Sequence, residues 1–82
     1  MKGNEMKLRV GDLVVVSWNG NSGGTERVVS VGTLYLKTGT VGGATTTFSL
    51  KDYERTGTYR NGPLQIIGYA TPEEAEEFMR EE

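Results

Sequence analysis

The chain has 82 residues, a net charge of −2, and neither cysteine nor histidine. A chain of this length forms one domain and buries only roughly 60 to 65% of the surface that it exposes when unfolded, so its core is small. Missing cysteine removes disulfides and thiolate metal sites, and missing histidine removes the usual general base near neutral pH and the common zinc ligand sets. No run approaches the roughly 18 apolar residues of a membrane span, and the opening M-K-G-N-E-M-K has no apolar signal segment. The expectation is a cytoplasmic, non-membrane and non-enzymatic protein without a cofactor, a single domain over 1–82 with a barrel over about 7–70.

Charge is distributed unevenly. Residues 1–70 carry eight Lys/Arg against five Asp/Glu, which is +3, whereas residues 71–82 carry Arg80 against six glutamates, which is −5. An acidic tail on a mildly basic body reads as an interaction arm or a shield over a basic surface, and more blandly as a solvated helix face.

In chain order, the polar residues 1–5 predict a frayed start. Leu8 and Val10 alternate with Lys7 and Arg9, which predicts a first strand from about Lys7 that bends at Gly11-Asp12 and continues through the β-branched run to Trp18. Leu13 and Val15 fall on one face of it, and Val14, Val16 and Trp18 on the other. Residues 19–24, N-G-N-S-G-G, predict a loop; the lysine and Ser/Thr of a phosphate-binding loop are absent. Residues 25–31 and 33–37 are two strand-like runs with Gly32 as a bulge or bend between them. Val29, Val31, Leu34 and Leu36 are expected inward, and Tyr35 and Lys37 outward, beside Arg27 if that residue lies at the rim.

Thr38-Gly39 and Gly42-Gly43 bracket the next turn, and residues 44–50 resume alternation with Phe48 and Leu50 inward. Residues 51–57, K-D-Y-E-R-T-G, predict a helical turn or a compact irregular connection. Asn61-Gly62-Pro63 signals another turn before a last strand over 64–69, the closing partner of residues 13–16. A helix over about 72–81 follows, with Thr71 as N-cap, Pro72 in the first position and Glu74 completing a capping box. Ala75, Phe78 and Met79 share one face of it and predict docking on the barrel.

Chemistry-bearing groups are few. A carboxylate pair drawn from Asp12, Asp52 or Glu54 is the residual catalytic candidate, but Asp12 after a turn glycine reads more simply as a turn cap. The tail glutamates lack the spaced oxygen ligands of a calcium loop. Aromatics interleaved with cations, at Tyr35 and Lys37, Tyr53 and Arg55, and Tyr59 and Arg60, have the composition of a nucleic-acid stacking platform. The bland reading is tyrosines half-buried at barrel edges with basic neighbours for solubility. Trp18 with Tyr35 and Arg27 has the composition of a protein interface hot spot, against which stands a purely structural Trp18. Open sheet edges would allow strand addition. The acidic helix, through Glu73, Glu74, Glu76, Glu77, Glu81 and Glu82, is a candidate mimic of a phosphate backbone.

Five short strands, Gly-rich turns, Gly-Asp before the first apolar strand and a helical turn before the last strand resemble the Src-homology-3-like barrels. L-R-V-G-D-L-V-V-V looks like the opening of a KOW-type module at Gly11, Asp12, Val14 and Val16, although the glycine-valine pair expected after the first loop is replaced by Glu26-Arg27-Val28. The series G-D-x-V-x-V, V-x-S-V-G, F-S-L and an acidic helix is similar to small β-barrel proteins of bacteriophages and prophages. The expected fold is therefore a small five-stranded Src-homology-3-like β-barrel with a short C-terminal α-helix. The resemblance implies the fold and a phage or prophage origin; with the absent histidine and cysteine, the hot-spot composition around Trp18 and the acidic helix, the expectation is a non-catalytic interaction protein that binds and modulates or inhibits a host protein or defence complex. The alternative is a KOW-like module binding RNA or DNA through Trp18, Tyr35, Lys37, Arg55 and Arg60, and a third reading is a self-associating virion or assembly component.

Overall fold

The computed structural model describes residues 7–18, 21–56 and 64–82, with only the backbone of Trp18, Asn21 and Ser22. The expectations for the start of the chain, for Asn19-Gly20, for Tyr59 and Arg60 and for the Asn61-Gly62-Pro63 turn lie outside the described residues. The chain is mainly β, as expected: β1 (Leu13–Trp18), β2 (Asn21–Val31), β3 (Tyr35–Gly39), β4 (Thr45–Ser49) and β5 (Leu64–Tyr69) precede one helix, α1 (Pro72–Glu81). All neighbouring strands are antiparallel and stand in the order β4-β3-β2-β1-β5, so the last strand returns to the first. The sheet curls around Val14, Val16, Val28, Leu36, Phe48, Leu64 and Ile66, with Leu8 covering them from the N-terminal segment. Among the described residues no helix is long and apolar enough to cross a membrane.

β1 begins at Leu13, later than the alternation from Lys7 predicts. The Asp12 carboxylate accepts the Arg9 N–H at 2.8 Å and the Asp12 N–H bonds back to the Arg9 carbonyl at 3.0 Å. A side chain that captures nearby backbone in this way favours a turn over a ladder. Leu8 therefore drops into the core while Val10 is left 65% exposed. Gly11, at φ +100, supplies the left-handed geometry, and the turn is tied to β2 by Gly11 N–H to Val28 O and Val28 N–H to Asp12 O, both 2.8 Å.

β2 is long enough to serve two partners: its first half pairs with β1, its second with β3. It starts at Asn21, so residues 21–24, expected in a loop, belong to the strand. Between Val28 and Ser30 the register against β3 shifts by one residue. Such a bulge reverses the parity of the strand. Glu26 and Val28 face the core ahead of the bulge, and beyond it Val31, opposite Leu36, falls on the core-facing side but at the end of the core, so that Val29 and Val31, expected inside, are 42% and 41% exposed. Gly32 is not a bulge but part of the tight β2–β3 turn, where its N–H donates to Tyr35 O at 2.8 Å. A Cβ there would lie 3.2 Å from that same oxygen, so the close approach favours glycine.

Residues 51–56 form the compact irregular connection, and their backbone does more than connect. Ser49 N–H donates to Glu54 O and Thr56 N–H to Thr47 O, on the β4 side; Arg55 N–H donates to Leu64 O and Ile66 N–H to Tyr53 O, on the β5 side. The segment thus bridges both edges of the curled sheet. Tyr53 takes up φ +61 to do so while its ring packs against the core.

α1 starts where the capping signal places it. Thr71 accepts the Glu74 N–H at 3.1 Å and Glu74 returns the bond to the Thr71 N–H at 2.8 Å. Phe78 is buried against the sheet, but Met79, expected on the docked face, is 56% exposed. A ten-residue helix is marginal alone, so its cap and its one buried ring decide whether it forms. Thr71→Ala should weaken α1 by about 1 kcal/mol. The check is native-state hydrogen exchange: α1 amides should exchange about fivefold faster, with those of β1 unchanged.

Candidate functional site

Tyr35 and Lys37 both project from the outer face of β3 and are exposed, as expected. Tyr53 and Arg55 do not extend this surface: the Tyr53 ring packs on the core and Arg55 is half-buried in the bridging segment. Arg27 is not beside Tyr35 either. It pairs with Gly39 across β2 and β3, four residues along β3 from Tyr35, a separation of roughly 13 Å. Of Trp18, the backbone pairs with Asn21 and Leu64.

What Arg27 meets instead is the helix. Its guanidinium carbon lies 5.5 Å from the centre of the Phe78 ring, and Nη2 donates to Glu82 Oε1 at 2.8 Å. Both charged side chains are more than a third exposed, at 34% and 45%, so the ion pair contributes well under about 1 kcal/mol. Burial of Phe78 contributes more to docking α1, about 2 kcal/mol. Of the acidic side chains proposed from sequence, Glu82 is therefore engaged with the barrel and Glu74 with the cap. Glu73, Glu76, Glu77 and Glu81 are exposed. Between the helix and the barrel runs a groove of about 310 Å³ lined by Gly24, Thr25, Val41, Glu74, Glu77, Phe78 and Glu81.

A second groove, of about 420 Å³, lies where β3 begins and β4 ends, lined by Thr33, Leu34, Tyr35, Ser49, Leu50 and Lys51. Leu34 falls on the core-facing side, two residues before buried Leu36, but beyond the end of the core, where it is 67% exposed. Tyr35 beside it is 51% exposed and Val31, opposite Leu36 in the β2–β3 pairing, completes an apolar end to the barrel. Sequence reasoning missed Leu34 because alternation assigns it to the interior; the Gly32 turn next to it is the signal that the strand, and with it the cover, ends there.

Glu26 was also missed. It is 8% exposed on the core face, and its carboxylate accepts the hydroxyl of Thr38, which is fully buried. The alternation Glu26–Val28 was the available clue. Among the described residues no cation ion-pairs with it. Elsewhere among those residues no three potential metal ligands converge.

Comparison with protein-family models, with curated proteins and with solved structures finds no match to this chain. The grooves beside α1 and at the start of β3, among the described residues, each have an apolar lining with charged groups next to it.

The Glu26–Thr38 contact gives a direct stability test. Thr38→Val leaves the buried carboxylate without its donor and should cost about 2 kcal/mol. In a Glu26→Leu background the same change should cost clearly less, giving a coupling energy of at least about 1 kcal/mol in a denaturant-unfolding cycle. Equal costs in both backgrounds would mean that the bond contributes nothing.

Proposed function

We propose that the chain is a non-catalytic interaction protein that docks on another protein through the apolar end of its barrel. The observation that carries this reading is the pairing of Leu34 and Tyr35, 67% and 51% exposed, along one groove. Adjacent exposed aliphatic and aromatic side chains over a concavity are the composition of an interface core, where a buried aromatic anchor dominates affinity. Lys51 in the lining, and Lys37 two residues from Tyr35 on the same face of β3, favour a partner with carboxylates around an apolar centre. If the phage resemblance holds, that partner is a host protein, and the docked chain would modulate it by occupying its surface.

The nucleic-acid reading has less behind it, because Tyr35 with Lys37 is the single aromatic–cation pair, among the described residues proposed for stacking, that projects outward. Strand addition has less behind it as well, since residues 53–56 bond to both sheet edges.

The test is a photo-crosslinking residue placed at position 34, and as a control at Ile67, itself 56% exposed on β5. Position 34 should yield one discrete protein adduct, and Tyr35→Ala should lower affinity for that partner about 30-fold, the effect of a hot spot of about 2 kcal/mol. Nucleic-acid adducts, adducts at twice the chain mass, or equal labelling from Ile67 would each overturn the reading.

A further inference from the structure

The groove between α1 and β2 has walls of different character. Thr25 and Val41 belong to the sheet and its β3–β4 turn, Val41 being 40% exposed. Opposite them, Glu74, Glu77 and Glu81 recur at spacings of three and four and therefore share one helix face, with Phe78 between them. A concavity of about 310 Å³ with an aromatic ring, an aliphatic side chain and three carboxylates is matched by a side chain with an apolar stem and a cationic head. The carboxylates do not converge as a metal site does, so an extended organic cation fits them better than a metal ion.

The molecule itself supplies an example of this recognition. The same Phe78 ring already has the Arg27 guanidinium over it, and that guanidinium is held in addition by Glu82, one residue beyond Glu81. Thr25 and Arg27 are two residues apart and share the outward face of β2, so the groove lies one step along the strand from a guanidinium site that is filled from within the chain. Gly24 contributes a wall without a side chain there, in a positive-φ conformation that other residues rarely adopt. We infer that this groove is a binding site for an arginine side chain of a protein partner, its stem against Val41 and Phe78 and its guanidinium on the Glu77 and Glu81 carboxylates. The site is separate from Leu34 and Tyr35 and stands or falls independently of the docking surface proposed there.

The experiment uses the full chain, isotope-labelled, titrated with the peptide Gly-Arg-Gly-Arg-Gly and with the same peptide carrying citrulline, which keeps the shape and loses the charge. The arginine peptide should shift the amide signals of Gly24, Thr25, Val41 and the helix around Phe78, and the citrulline peptide should leave them in place. Glu77→Gln with Glu81→Gln should weaken binding about tenfold. Glu73→Gln with Glu76→Gln removes the same charge from residues that do not line the groove and should weaken it less than about twofold. Leu34→Ser should leave it unchanged. Shifts spread over all acidic residues, equal loss in the two double variants, or no shift at millimolar peptide would each overturn the inference. Both double variants replace exposed side chains, and a retained, dispersed amide spectrum verifies that the fold is intact in each.

Discussion

An antiparallel sheet of five strands ends in two rows of backbone N–H and C=O groups that need partners, and in this chain one short segment serves both. Residues 53–56 exchange hydrogen bonds with β4 on one side and β5 on the other, which holds the sheet in a curled half-barrel. Five such bonds at about 1 kcal/mol each outweigh the roughly 1–2 kcal/mol that a left-handed backbone costs Tyr53. The curl is what allows side chains as small as valine to fill the interior: Val14, Val16 and Val28 meet Leu36, Phe48 and Ile66 across a space that a flat sheet would leave open on one face. With the curl in place, the outer surface is divided into the helix-covered β2 side and the uncovered end at Leu34.

The parts of this arrangement that were legible in the sequence depend on local chemistry. The Thr71–Glu74 capping box sets the helix start by two side-chain bonds within four residues, and the β-branched run of β1 has no competing local structure. What was not legible depends on register. One inserted residue at Val29 reverses which side chains of β2 face inward, and nothing in V-V-S-V marks which valine is the extra one. The same limit explains Arg27 and Tyr53. From sequence they are candidate partner contacts, but the contacts seen here are within the fold, Arg27 with α1 and the Tyr53 ring with the core, and these come from residues far away in the chain.

The charge layout gains meaning from the docked helix. An acidic tail could in principle neutralise the basic body broadly, but among the described residues the charged contact is one cation, Arg27, held by one ring and one carboxylate. The other exposed glutamates remain available to solvent on a rigid support. A negative surface fixed in orientation by Phe78 loses less entropy on meeting a basic partner than a free tail would. The two grooves then present opposite characters: carboxylates beside α1, and lysines around the apolar end of β3.

The strand order also bears on how the chain reaches this state. β1 to β4 follow one another with few residues between them, whereas β5 pairs with β1 across the whole of residues 19–63. Closing a longer loop adds only slowly to the entropic cost, but pairing of this separation forms after the local hairpins have appeared. Before β5 pairs, β1 would have a bare edge and Val14 and Val16 would lack one of their walls. A species of this kind adds strands from other copies of itself, so the yield of folded protein should fall as refolding concentration rises, even though the finished fold leaves little edge to add to.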